Sequence, residues 1–182
     1  MKNPLRTTVA IFSLAAAMLL GYFCWFSPIT TVILVRHAEK EVLPQDHPNY
    51  RDPALTAKGA VRARAVAHLV EETGIDVIFA THLQRTQQTI APAAAELGLT
   101  PVILPAGNTD KLVHTILSEH RGENVLVAGH SNTLPEIMAG LGVSHPPAIE
   151  DSEYDHLFIV QIHHFLFKRT RMLHLKFGKP PP

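Results

Sequence analysis

The apolar positions of this chain fall into short runs separated by stretches of helical period. Thr31-Val32-Ile33-Leu34-Val35 is a run of five residues, four of them aliphatic, and it ends abruptly in Arg36 and His37. A run rich in β-branched residues and without polar alternation predicts a strand buried on both faces, as in parallel sheets. Residues 75–80, 102–104 and 125–128 repeat the pattern. Between them lie helical segments. Thr56 is placed to cap a helix running to about residue 72, with Val61, Ala65 and Leu69, flanked by Val66 and Val70, as its buried stripe and Gly74 as its stop. A second helix is expected over 84–97, stopped by Gly98 and kinked at Pro92, which lacks a backbone donor. Asn108 or Thr109 caps a third, to about residue 120, with Leu112, Val113, Ile116 and Leu117 on one side. Ser131-Asn132-Thr133 opens a fourth, which Gly142 ends, and Thr133 with Glu136 fits a capping box. Residues 156–163 and 170–177 read as two last strands, antiparallel or at the sheet edge. This alternation predicts an α/β fold: a three-layer α/β/α sandwich on a mostly parallel sheet of about six strands.

Two connections stand out. Residues 38–55 contain Pro44, Pro48 and Pro53 and leave the end of the first strand directly, and residues 144–155 form a polar loop with Pro146 and Pro147. Long loops inside compact domains are commonly functional.

The N-terminal stretch has a different pattern. Lys2 and Arg6 lie within residues 1–8, and residues 9–26 then carry no charge and end in Tyr22, Phe23, Trp25 and Phe26. That length suits a bilayer span, and the aromatics suit its interface. The expected organisation is a cytoplasmic segment 1–8, an uncleaved signal anchor 9–26, a linker 27–30, a domain 31–178 outside the cytoplasm, periplasmic or extracellular, and a disordered tail 179–182. A cleaved signal peptide is the rival; its cut within Ala15-Ala16-Ala17 would leave a greasy tail from Met18 onward. A four-residue linker reaches no more than ~14 Å. The carboxyl end of the first strand would stand roughly 20 Å further out, facing away from the bilayer.

Composition narrows the classes. Of 182 residues, 46% are hydrophobic and 18% charged, with zero formal net charge. This supports one domain of about 150 residues with a sizeable core and gives no bulk attraction to nucleic acid. Most of the twelve histidines are scattered, and the adjacent His163 and His164 would point to opposite faces of a strand. No HExxH or paired Cys/His spacing occurs, so neither a metal site nor a cofactor is expected. Cys24 is the single cysteine, so there is no intrachain disulfide. The sequence carries no signal for an oligomeric state.

The candidate chemistry lies at strand ends. The first strand ends in Arg36-His37, the fourth in Gly129-His130, and Arg85 follows the second in the first turn of its helix. In a parallel sheet these positions share the carboxyl edge, where ligands bind. Two arginines and two histidines there would grip a dianion, helped by the amide ends of the helices opening near Gln84 and Asn132.

Arg36-His37-Ala38-Glu39 resembles the RHG or RHA signature of the histidine phosphatase superfamily, the phosphoglycerate mutase-like fold. Leu55-Thr56-Ala57-Lys58-Gly59 is similar to its LTxxG element, residues 81–89 to its SDLxRAxQT segment, and Gly129-His130-Ser131-Asn132 to its second-histidine motif. Four motifs in order over about residues 31–142 are specific together. The resemblance implies that His37 is the nucleophile that becomes phosphorylated. It also implies that Arg36, Arg85 and His130 bind the phosphoryl oxygens and that a small phosphorylated molecule is the substrate. One departure concerns the general acid. Larger members carry a glutamate in an insertion after the third strand, which also covers the substrate; here residues 105–109 contain none. Asp110 takes the nearest topological place, and Glu39 is the rival. The expected function is a metal-independent phosphomonoesterase acting outside the cytoplasm on a sugar or cell-surface phosphate. A protein phosphohistidine phosphatase and a catalytically silent, membrane-anchored phosphate-binding protein are the alternatives. A mutase, which must keep its phosphorylated intermediate covered, fits less well.

Overall fold

Strand β1 (Ile29–Arg36) lies inside the sheet, with β4 (Asn124–Gly129) parallel on one side and β5 (His156–His163) antiparallel on the other. The computed structural model describes Val9, residues 12–19, Gly21, residues 28–164 and residues 168–178. With β2 (Val77–Thr81), β3 (Val102–Leu104) and β6 (Arg169–Lys176), the six strands run in the order β3-β2-β4-β1-β5-β6. The first four are mutually parallel and β5 and β6 antiparallel, so the expected mostly parallel sheet is present.

Alternation along each strand divides the core into two layers. Val32 and Leu34 point to the face covered by α3 (Thr109–Glu119) and α4 (Thr133–Leu141), where they meet Ile116, Leu134 and Met138. Ile33 and Val35 point to the opposite face, packed by α1 (Ala57–Val70) and α2 (Gln84–Leu97) through Val66, Val70, Ile90 and Ala93. Burial on both faces explains the unbroken aliphatic runs.

Several expectations hold closely. Thr56 caps α1, its hydroxyl accepting from the Gly59 N–H at 3.0 Å. Gly98 and Gly142 end α2 and α4 with φ of 66° and 103°, conformations that favour glycine. The third helix starts after Asn108, with Leu112 and Ile116 buried.

Others need correction. The buried face of α1 is Gly59, Ala63, Val66, Ala67 and Val70, whereas Val61 and Leu69 are 58% and 44% exposed. The larger aliphatics suggested the stripe, but small residues let the helix lie close on the sheet and on α2. The helix also ends two residues early, where the Thr73 N–H and hydroxyl both bond to the Val70 carbonyl. The capping box of α4 does not form: the Thr133 hydroxyl accepts from the His130 N–H at 3.1 Å, and Glu136 instead accepts from Thr109 at 3.3 Å. Helix α2 runs through Pro92 to Leu97. Strand β1 begins at Ile29 because Ile29 and Thr30 pair with His163 and Ile162 of β5, so two linker residues belong to the sheet.

In the N-terminal stretch, Val9, residues 12–19 and Gly21 are helical, with Phe12, Leu14, Met18 and Leu19 exposed. Among the described residues no helix is long and apolar enough to cross a membrane. Much of the expected anchor (residues 10, 11, 20 and 22–26) and the tail 179–182 lie outside the described residues.

Gly59 shows how the second sequence motif serves the first. The Glu39 carbonyl accepts from the Thr56 N–H at 2.9 Å, and a Cβ on Gly59 would overlap that same carbonyl oxygen. Gly59→Ala should therefore destabilise the fold by about 3 kcal/mol, more than the ~1 kcal/mol expected for loss of the cap in Thr56→Ala. Urea unfolding of both variants checks the order.

Candidate active site

The β1–β4 ladder continues one step past the strand ends: the His37 N–H donates to the Gly129 carbonyl at 2.9 Å. This brings His37 and His130 side by side, ring centroids 5.3 Å apart. Both are buried, at 3% and 6% exposure. They share a cavity of about 320 Å³ with Arg36, Lys40, Arg85, Ser131, Asn132, Asp151 and Tyr154. The carboxyl edge thus gathers five expected residues: Arg36, His37, Arg85, His130 and Asn132.

The His37 tautomer follows from one contact. Its Nδ1 lies 2.8 Å from the Ala38 carbonyl, which can only accept, so Nδ1 carries the proton and the neutral ring leaves Nε2 free. Burial, with His130, Arg36 and Arg85 acting in the same direction against the Ala38 bond, lowers its pKa from 6.5 to about 3. Ala38 is itself fixed, its N–H donating to the Thr89 hydroxyl at 2.9 Å.

His130 is set by a chain of hydroxyls. The Thr86 hydroxyl has carbonyl acceptors at Leu83 and Thr81, 2.8 and 3.1 Å away. Thr81 therefore donates to Thr86 at 2.7 Å and accepts from His130 Nε2–H at 3.0 Å. Burial, followed by Arg85 and Arg36, lowers the His130 pKa to about 4. Both imidazoles are neutral at pH 7.

Each arginine is held from a loop. Arg36 Nη1 donates to the Glu150 and Glu153 carbonyls at 2.7 and 2.8 Å, Nη2 lies 3.6 Å from Asp151, and the guanidinium stacks 4.2 Å over the Tyr154 ring. Arg85 Nη1 lies 3.9 Å from Asp52, whose carboxylate also takes the Gln84 N–H at 2.8 Å and so caps α2. Burial lowers the Arg85 pKa, Asp52 opposing and Arg36 reinforcing; the group remains a cation. Arg36 and Arg85 each keep a buried Nε–H that no acceptor among the described residues takes. An unsatisfied buried donor costs about 1–3 kcal/mol, and two beside one cavity suit an anion with several oxygens.

The two carboxylates expected to supply a proton do not line this cavity. Glu39 faces Arg62, which grips it at 2.7 and 2.9 Å, and Lys58 lies at 3.4 Å. Burial would raise its pKa, but the Arg62 bonds win and hold it below the usual carboxylate range. Asp110 is exposed in the first turn of α3. Asp151 is the carboxylate at the cavity, 93% exposed and accepting from the Ser131 hydroxyl at 2.9 Å. Sequence reasoning missed Asp52, Asp151 and Tyr154, which sit in loops without periodicity. Among the described residues, no group of three or more His, Cys, Asp or Glu side chains is arranged to hold a metal ion.

A neutral histidine beside one buried and one half-buried guanidinium group, at the carboxyl edge of a parallel sheet, suits an oxyanion. The sequence model of the histidine phosphatase superfamily (branch 1) matches residues 32–107, which include Arg36, His37 and Arg85, and the fold and His130 continue the likeness. Over those residues the chain is similar to that superfamily. It is 36% identical over 74 residues to a 2,3-bisphosphoglycerate-dependent phosphoglycerate mutase of Methylobacterium radiotolerans, covering 39% of this chain and 35% of the mutase. The chain spans no more than about a third of the length of the curated relatives it matches. Among solved structures it is similar to the protein histidine phosphatase SixA complexed with tungstate, with 18% identity, a TM-score of 0.60, and 80% of this chain and 96% of that one covered. It is also similar to a mycobacterial glucosyl-3-phosphoglycerate phosphatase, with 13% identity, a TM-score of 0.60, and 79% and 97% covered. At these identities the likeness is one of fold.

Because both histidines titrate below their unfolded value of 6.5, the unfolded chain binds more protons between about pH 6.5 and pH 4. Stability must then fall as pH falls through that window. Acidification from about pH 7 to about pH 4.5 should cost on the order of 2 kcal/mol per histidine, read from urea midpoints. The His37→Asn, His130→Asn double variant should flatten the slope; an unchanged slope would assign it to other groups.

Proposed function

We propose that this domain is a metal-independent phosphomonoesterase that passes the phosphoryl group through His37. The observation that carries the reading is the shared cavity of a neutral His37, its Nδ1 bonded to Ala38, and two arginines with unanswered buried Nε–H groups. The Nε2 lone pair attacks phosphorus, the bond to the ester oxygen breaks, and the leaving oxygen takes a proton. Water then attacks the phosphohistidine, the N–P bond breaks, and phosphate leaves. Arg36 and Arg85 stabilise charge on the equatorial oxygens in both steps beside Asn132, and His130, whose Nε2–H is held by Thr81, joins the cradle as a donor once Nδ1 takes a proton.

Proton delivery is the least equipped step. Glu39 is kept ionised by Arg62, and Asp110 stands off the cavity, which leaves exposed Asp151 nearest the leaving group. Such assistance suits leaving groups that need little protonation.

The substrate class we favour is a sugar or cell-surface phosphate outside the cytoplasm. The uncharged run 9–26 after Lys2 and Arg6 supports an anchored domain, with the cavity directed away from the bilayer. A second reading, a protein phosphohistidine phosphatase, is favoured by the fold likeness to SixA and by the four-residue connection 105–108 between β3 and α3, which builds no cover. A mutase needs that cover.

Incubating the full chain with p-nitrophenyl phosphate and a chelator should give turnover and acid-labile, base-stable phosphate on His37. His37→Asn should lose both, a fall of at least about 10³-fold in kcat. Turnover only with added metal would overturn the mechanism, and neither turnover nor trapping would leave an anchored phosphate-binding protein. For the proton donor, Asp151→Asn should lower turnover of alkyl phosphates about tenfold more than that of aryl phosphates. The same selective loss in Asp110→Asn would return the role to Asp110.

A further inference from the structure

The end of the sheet opposite the cavity gathers unpaired positive charge. Parallel β1 and β4 begin there, antiparallel β5 ends there and β6 starts there. Pro28, the residue before β1, is built into this pole. Its carbonyl accepts from the His164 N–H at 3.3 Å, and a Cβ on Gly122 would stand 3.1 Å from the Pro28 Cβ. Thr30 ties the parts together, its hydroxyl accepting from the Gly122 N–H and lying 2.8 Å from His164 Nε2. At this pole stand Arg121, whose guanidinium donates to the His164 carbonyl at 2.6 Å, Lys168 just before β6, and Arg169 and Arg171 within its first residues, Arg169 paired with His163. All four are exposed, and among the described residues none pairs with a carboxylate. The carboxylates at this end include Glu123, which accepts from His120 at 2.7 Å, Asp76, which accepts from the Asn124 N–H at 2.8 Å, and the exposed Glu119. No Asp or Glu follows Asp155 in the sequence, so β5 and β6 bring no compensating charge.

We propose that this pole is a docking surface for anionic phospholipid headgroups, with Arg121, Lys168, Arg169 and Arg171 as its charges. The proposal rests on the reading of residues 9–26 as an anchor, because the chain enters the domain from that segment through Pro28. It does not rest on the chemistry of the cavity. Basic residues beside a membrane segment bind anionic surfaces additively and only within about a Debye length, ~10 Å at moderate salt. The surface would hold the domain upright, with Arg36 and His37 at the far end of β1.

The test uses the full chain with vesicles of phosphatidylcholine alone or mixed with phosphatidylglycerol. Flotation with the neutral vesicles reports the anchor; its absence would remove the anchor reading and this proposal's geometry with it. Amide hydrogen exchange reports the pole. Exchange over residues 119–122 and 168–171 should slow about tenfold in the phosphatidylglycerol vesicles and return to the neutral-lipid rate at about 0.5 M salt. Lys168→Gln, Arg169→Gln and Arg171→Gln together, leaving Arg121 and its bond to His164 in place, should abolish the lipid difference at an unchanged melting temperature. Equal exchange in the two lipids, or a difference that survives the substitutions, would overturn the proposal. Should the variant not fold, a lipid difference on the unaltered chain that persists at about 0.5 M salt would overturn it equally.

Discussion

Two guanidinium groups, Arg36 buried and Arg85 half-buried at one end of a sheet, are the constraint around which the rest of this domain is arranged. Like charges in a shared, poorly solvated cavity must be answered locally, and the chain answers them with loops. Arg36 draws in the carbonyls of Glu150 and Glu153 and the Tyr154 ring, which fixes the segment before β5 against the cavity. Arg85 draws in Asp52, which at once caps α2 and fastens the loop after β1. The same charges help hold His37 and His130 neutral. On the proposed function, affinity for an oxyanion and a nucleophilic imidazole would have one origin. Neither guanidinium is fully satisfied, and the two spare Nε–H groups would recover their lost hydrogen bonds only when acceptor oxygens arrive.

The sheet was legible in the chain because both faces of its strands are buried, and a doubly buried strand leaves an unbroken aliphatic run. Helix ends were legible wherever glycine must take a left-handed conformation, as at Gly98 and Gly142. The face of α1 was not. Apolar size suggested Val61 and Leu69, whereas close packing selected Gly59, Ala63 and Ala67, and nothing in a single helical segment reveals how near its neighbour will come. Thr133 carries the same lesson. A hydroxyl three residues before a glutamate suits a capping box, but the nearby His130 N–H takes it instead.

The site divides along the same line. Arg36, His37, Arg85 and His130 could be placed because strand polarity sends them to one edge whatever the loops do. Asp52, Asp151 and Tyr154 arrive by tertiary contact from stretches without periodicity, so no local pattern marks them. Glu39 shows the converse: adjacency in sequence brought it near His37, yet Arg62 and Lys58 turn its carboxylate toward α1. Sequence distance from His37 was a poor guide to access to the cavity.

Strand β5 links the two ends of the molecule. It starts directly after the carbonyls that hold Arg36 and finishes at His163, beside Pro28 and the basic pole. Eight residues at about 3.3 Å each make it roughly 26 Å long, and it is hydrogen-bonded along this length to β1, which runs the other way and delivers His37. The distance and direction from the pole to His37 are therefore set by two paired strands and not by a loop. A surface that orients the pole would orient the cavity with it, and the cavity mouth would then face open solvent, where a large or tethered phosphorylated substrate could approach.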